Sequence, residues 1–338
     1  MHKAFITGLA GFELTRDERA FLAEHHPAGV ILFSRNICDA PQVRRLIGDA
    51  LAAIGTHRTL VLVDQEGGRV QRIRPPLAHQ LPPAASFAAL HAVEPEAALG
   101  AARTVARLCA DDLSALGINC NCAPVLDVPV PGAHDIIGDR AYGDLPERIV
   151  ALARAVVEGL MEGGVLPVIK HIPGHGRATA DSHLELPVVR TALDQLAASD
   201  FIPFRHLAHL PAAMTAHVVF TSIDPENPAS TSAAVIRDII RGSIGFDGLL
   251  MSDDLSMKAL TGALAERTRA VLDAGSDLAL HCNGDLAEMR AVAAASPALT
   301  GAARARFERA LAVALAPPQA FDRAQAETTL TYMLSKTA

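Results

Sequence analysis

The sequence predicts a parallel (β/α)8 barrel of the TIM type, and three observations carry that prediction. Short apolar runs alternate with longer amphipathic stretches through most of the 338 residues, the pattern of a parallel sheet covered on both faces. Eight such runs occur, whereas an open doubly wound sheet usually has fewer strands and a phosphate-binding glycine fingerprint. No GxGxxG follows the first run and no GxxxxGK[ST] occurs anywhere. Titratable residues also gather just after the apolar runs, where a barrel carries its active site.

The expected strands, in order, are Ala4–Leu9, Gly29–Phe33, Thr59–Val63, Asn119–Val125, Leu166–Lys170, Ala213–Val219, Gly248–Ser252 and Leu278–Cys282. Between them lie helical patterns such as Pro41–Ala53, Ala97–Leu116, Ile149–Met161, Ala192–Leu207 and Ala263–Ala274. From about residue 298 the chain reads as packing helices, Ala302–Leu315 and Arg323–Leu334, so residues 1–338 are expected to form a single barrel domain. No repeat beyond the strand–helix alternation and no low-complexity linker interrupts it.

Composition narrows the function classes. Half of the residues are hydrophobic, enough for a sizeable core. A net charge of −7, the lack of a basic block and the absence of tryptophan speak against a nucleic-acid partner. The five cysteines are odd in number and scattered, and Cys120-Asn121-Cys122 has no second pair to complete a zinc site, which suggests a reducing compartment. Charged residues follow the N-terminus too soon for a signal peptide, and no apolar run approaches a membrane span. A cytoplasmic location without a membrane partner is the expectation.

The densest chemistry lies after the fifth run, in Lys170-His171-Ile172-Pro173-Gly174-His175-Gly176-Arg177-Ala178-Thr179-Ala180-Asp181-Ser182-His183. Other strand ends add Asp64-Gln65-Glu66-Gly67-Gly68-Arg69, Asp127, His217, Asp253-Asp254, His281 and Asn283. Three reaction classes fit. A metal site on His171, His175 and His183 is disfavoured, because Pro173-Gly174 breaks any helix that would align the rings and Lys170 sits beside the would-be cation. Schiff-base chemistry at Lys170 would need a lowered pKa that the nearby acids oppose. Glycoside hydrolysis needs a carboxylate nucleophile and a proton donor; Asp253 or Asp254 would be the nucleophile, with Asp64, Lys170, His171 and several arginines binding the sugar hydroxyls. One aspartate of the pair could instead cap a helix. Strand alternation says only that the two point to opposite sides.

These motifs, with Gly29–Asn36, Ala123–Val128 and Ser252-Asp253-Asp254-Leu255-Ser256-Met257, resemble glycoside hydrolase family 3, in colinear order from about Gly8 to Cys282. The branch they resemble most is the bacterial cytoplasmic β-N-acetylglucosaminidases of NagZ type, enzymes of peptidoglycan recycling. The resemblance implies Asp253 as nucleophile, His183 oriented by Asp181 as general acid/base, and Asp64, Arg72, Arg140, Lys170 and His171 as sugar-binding residues. It further implies a retaining exo-glycosidase working through a covalent intermediate on a small-molecule substrate, GlcNAc-β-1,4-anhydro-N-acetylmuramyl peptide, with no cofactor and no metal. The expected form is a monomer. Family 3 glycosidases of other sugar specificity, substrate-assisted catalysis and a metal hydrolase on the same barrel stay open as alternatives. A non-hydrolytic sugar-binding module also stays open, though the carboxylate and histidine together oppose it. Ile172 replaces the common Phe of the motif, and the His281-Cys282-Asn283-Gly284 end bears on substrate preference.

Overall fold

The computed structural model describes residues 1–180, 182 and 185–335. Its main sheet is built from β1 (Lys3–Gly8), β2 (Pro27–Leu32), β3 (Leu60–Val63), β4 (Cys120–Asn121), β5 (Leu166–Pro167 continued by Ile169–Ile172), β6 (Ala212–Thr215), β7 (Leu249–Asp254) and β8 (Leu278–His281). Every pairing in it is parallel. The nine segments of the sheet begin and end on the two halves of β5, so eight strands close on themselves as a barrel. All eight expected strands are present.

Helices cover the outside: α1 (Arg16–His25), α2 (Ala40–Ile54), α3 (Ala84–His91), α4 (Pro95–Ser114), α5 (Pro146–Glu162), α6 (Leu193–Ala198), α7 (Ile202–His206), a π-helical turn at Val235–Ser243, α8 (Leu264–Asp273), α9 (Leu286–Ala295), α10 (Gly301–Ala314) and α11 (Arg323–Ser335). Local chemistry starts them. Thr15 and Glu18 form a reciprocal capping box on α1, and Asp39 caps α2 by accepting from the Gln42 N–H.

Three elements depart from the sequence reading, two of them at prolines; the third is β6, which ends at Thr215 instead of Val219, with Val219–Phe220 pairing instead with Val188–Val189 in a separate small sheet. Strand β4 stops at Asn121 instead of Val125, because Pro124 has no N–H for the ladder; pairing resumes as one bridge between Val125 and Lys170. The single helix expected over Ala192–Leu207 is split into α6 and α7. Pro203 cannot donate to the Ser199 carbonyl and its ring crowds that oxygen, so the helix restarts after Ser199-Asp200.

Period-two alternation fills the barrel. Leu60 and Leu62, Leu166 and Val168, and Leu249 and Met251 all point into one interior cluster. Phe307, Ala310, Leu311 and Ala314 of α10 join that cluster and plug the end where the strands begin. There Ala4 N–H donates to Pro297 O and Leu299 N–H to His2 O. Helix α11 packs against α4 through Ala326, Leu330 and Met333. No helix among the described residues is long and apolar enough to cross a membrane.

Candidate active site

Two residues beyond each of those apolar pairs, the same inward face presents Asp64, Lys170 and Asp253. The interior series therefore separates the aspartate pair: Leu249 and Met251 lead to Asp253. The three residues open into a cavity of about 410 Å³, which Arg72, Arg140 and His171 also line. Six of the expected site residues thus meet in one place. Asp181 and His183 lie outside the described residues; Ser182, which separates them in sequence, lines the same cavity.

One side of the cavity is an ion-pair cluster. Lys170 Nζ donates to Asp64 Oδ1 at 2.9 Å and lies 2.6 Å from Glu66 Oε1. Arg72 Nη2 reaches Asp64 Oδ2 at 3.1 Å, and Arg140 grips Glu66 with two bonds of 2.8 and 2.9 Å. Such forked charge-assisted bonds fix direction as well as charge. Burial opposes ionisation of Asp64 and Glu66, but Lys170 with Arg72 or Arg140 outweighs it and holds both carboxyls below their usual range. Burial would lower the Lys170 ammonium, yet the same carboxylates raise it, so it stays charged. That excludes the free amine a Schiff base requires.

Glu66 is a site residue that the motif reading left without a role. Its signal was its spacing: two residues after Asp64 in an extended segment, it falls on the same face. The hairpin Gln65–Gly67 with Val70–Gln71 holds it there. Gly67 and Gly68 turn that hairpin at φ 105° and 56°, and a Cβ on Gly67 would come within 2.4 Å of Pro82 O.

Another part of the cavity wall is organised by Asp127, fully buried just beyond the Val125–Lys170 bridge that follows β4. Its Oδ2 accepts from His171 Nδ1 at 2.7 Å, and its Oδ1 accepts the N–H of His171 at 3.2 Å and of His175 at 2.7 Å. Burial would raise this carboxyl, but the His171 ring and these N–H groups bring it below the ordinary value. Asp127 thus orients the His171 ring and pins the root of the following loop. Gly176 continues that root, where a Cβ would strike Val128 O at 2.0 Å. His175 Nε2 lies 3.2 Å from Ser182 Oγ; burial and the neighbouring His171 pull its pKa down to about 4, so it is neutral. Among the described residues, no group of three or more His, Cys, Asp or Glu is placed to hold a metal ion.

Asp253 and Asp254 both line the cavity, and among the described residues neither is paired with a cation; Asp253 Oδ1 accepts the Asp254 N–H at 2.8 Å. Burial raises the Asp253 carboxyl, and His171, His217, that N–H and Lys170 together bring it below the usual range. It is ionised at neutral pH. Asp254 is spent on the scaffold, accepting at Oδ1 from Ser256 and from the Cys282 N–H at 3.1 Å, which ties β7 to β8. His217, unassigned from sequence, is buried and kept neutral by desolvation. Its Nε2–H donates to Asp254 O at 3.1 Å and its Nδ1 accepts from Ser230 at 2.7 Å, which fixes the tautomer and the end of β7. Chemically, the site offers an ionised carboxylate in one cavity with a cluster of paired cations and acids suited to several hydroxyls.

A model of the glycosyl hydrolase family 3 N-terminal domain matches residues 6–312. A beta-hexosaminidase of Alkalilimnicola ehrlichii is 43% identical over 280 residues, 82% of this chain and 79% of that protein. Another from Thiobacillus denitrificans is 42% identical over 279 residues, 81% of this chain and 77% of that protein. Among solved structures, NagZ from Neisseria gonorrhoeae in complex with N-trifluoroacetyl-D-glucosamine is similar with a TM-score of 0.88 and 30% identity, covering 100% of this chain and 98% of that one. A family 3 β-N-acetylglucosaminidase from Paenibacillus sp. FPU-7 gives a TM-score of 0.87 at 29% identity, covering 98% of this chain and 67% of that one.

Proposed function

This chain belongs to glycosyl hydrolase family 3, and we propose that within it the protein is a retaining exo-β-N-acetylglucosaminidase acting on GlcNAc-β-1,4-anhydro-N-acetylmuramyl peptides in cytoplasmic peptidoglycan recycling. The observation that carries the reading is the position of Asp253: ionised and lining the same cavity as the Lys170–Asp64–Glu66–Arg140 cluster. A non-reducing-end sugar bound with its hydroxyls on that cluster would present its anomeric carbon to Asp253, whose oxygens, unlike those of Asp64 and Glu66, are not held by a cation among the described residues.

In the first step an Asp253 oxygen bonds to the anomeric carbon as the glycosidic C–O bond breaks. His183 gives its proton to the departing oxygen, and Asp181 orients the ring and stabilises its charged form. In the second step water attacks the same carbon, His183 takes the proton, and the Asp253 ester bond breaks. Lys170, Arg72, Arg140, His171, Asp64 and Glu66 bind and orient and carry no bond-making step. This division needs no metal and no organic cofactor.

Hydrolysis of aryl β-GlcNAc and aryl β-glucoside by wild type, Asp253→Ala and His183→Ala tests the reading. Wild type should prefer the GlcNAc substrate, and both variants should lose turnover. His183→Ala should lose least with an activated aryl leaving group, which needs little protonation. A preference for glucoside would overturn the substrate assignment. Equal losses across leaving groups would remove His183 from the acid role.

A further inference from the structure

Gln65 and Gln71 belong to the same motif as Asp64 and Arg72, yet neither lines the cavity, and each is only 2% exposed. Their amides are spent on the stretch that carries Arg72. Gln65 Nε2 donates to Ile73 O at 2.7 Å, while its Oε1 accepts the N–H of Arg72 at 3.1 Å and of Ile73 at 3.0 Å. Gln71 Nε2 donates to the same Ile73 carbonyl at 2.8 Å and to His79 O at 2.7 Å, and its Oε1 accepts the Leu81 N–H at 3.0 Å. The Arg72–Ile73 backbone is therefore gripped from two directions. Gln65 is itself held by the side chain of Asn121 on the neighbouring strand β4, which makes 3.0 Å bonds to both its N–H and its carbonyl.

The ties run on to the C-terminal helix. His79 meets Asp112 Oδ2 through its backbone N–H at 2.8 Å and its ring Nδ1 at 2.7 Å. The other Asp112 oxygen accepts from Arg323 Nη2 of α11 at 3.2 Å. His79, Asp112 and Arg323 do not line the cavity, and their chain of bonds ends, through Gln71, on the stretch that presents Arg72.

We propose that Gln65 and Gln71 are positioning residues for Arg72, and that α11 supports them through Arg323, Asp112 and His79. The proposal rests on the reading of Arg72 as a sugar ligand. An arginine that recognises hydroxyls by direction loses binding when its backbone drifts by a fraction of an ångström. A buried amide lost at Gln71 also leaves the Leu81 N–H and the His79 carbonyl without their partner, which frees the loop.

The test is a double-mutant cycle in the full chain, Gln71→Met against Arg72→Ala, read as KM and kcat on aryl β-GlcNAc and as GlcNAc affinity by calorimetry. Gln71→Met should raise KM and weaken GlcNAc binding about fivefold, the equivalent of one buried hydrogen bond, with kcat within about twofold. In the Arg72→Ala background the same change should add nothing. Arg323→Ala, at an exposed position that leaves the core intact, should raise KM about twofold, again only when Arg72 is present. Effects that multiply in the double variant, or a fall in melting temperature with KM unchanged for both Gln71→Met and Arg323→Ala, would overturn the proposal while leaving Arg72 a ligand. An unchanged KM for Arg72→Ala itself would instead overturn the ligand reading, and the positioning role with it.

Discussion

The two ends of the barrel interior are made by the same strands and the same inward face, yet they are built for opposite purposes. Near the strand starts, Leu60, Leu166 and Leu249 meet Phe307 and Leu311 of α10 in a core free of charge. Four residues further along each strand, the face carries Asp64, Lys170 and Asp253 around a cavity. The lower end gains stability from apolar area removed from water. The upper end holds ionised groups away from bulk water, which costs free energy that only close pairing offsets. Alternation is indifferent to which kind of side chain it delivers. Fold and function are therefore separable along one strand, and substitutions at the two ends should fail in different ways.

The largest expected effect is at the upper end. Asp253→Ala, which removes the proposed nucleophile, should reduce kcat/KM on aryl β-GlcNAc by on the order of 10⁴-fold, while the melting temperature moves by only a few degrees. A comparable fall in melting temperature would mean that Asp253 belongs to the scaffold. Lys170→Met comes next, because it leaves Asp64 and Glu66 buried without their shared cation. About 3–5 kcal/mol of stability should be lost at neutral pH, together with sugar affinity. The sign of the pH dependence follows from the depressed carboxyls: their contribution is full above the ordinary carboxylate range and lost as pH falls below it. Denaturant melts should therefore show the wild type and Lys170→Met converging in acid.

At the lower end, Leu311→Ala should cost about 2–5 kcal/mol by cavity formation, with kcat/KM within about twofold well below the melting temperature. An activity loss matching that of a site variant would show the two ends to be coupled. The smallest effect is at His175. Its folded pKa of about 4 lies below the ordinary 6.5, so in that window the unfolded chain binds more protons and stability falls as pH drops. His175→Gln should flatten the dependence between those values by on the order of 2 kcal/mol, in melts taken at several pH values. A wild-type profile already flat there would mean His175 titrates as in water.

The sequence made the lower end almost fully legible, since apolar runs such as Leu60–Val63 need only a period and a length to be recognised. At the upper end it located Asp64, Lys170 and Asp253 by the same rule, and the family resemblance separated Asp253 from Asp254 before the interior series did so physically. What stayed hidden depends on pairing across the chain. Asp127 looked like an isolated strand-end acid until His171 and His175 were placed beside it. Glu66 was quoted in a motif without a role, and His217 acts on a backbone carbonyl rather than on ligand. Gln65 and Gln71 carry no titratable signal at all, so only their shared grip on Ile73 reveals them. The proline breaks at Pro124 and Pro203 were visible as letters, but their effect on β4 and on the α6–α7 split depends on which N–H the ladder or helix required.

The proposed mechanism requires Asp253 to become covalently bonded to the sugar. Incubating the protein with a slow-turnover fluorinated GlcNAc glycoside, followed by proteolysis and peptide mass spectrometry, measures this directly. One glycosyl adduct should appear on the peptide containing Asp253 and be absent from Asp253→Ala. Continued slow turnover with no adduct on that peptide, or an adduct on another carboxylate, would contradict that mechanism.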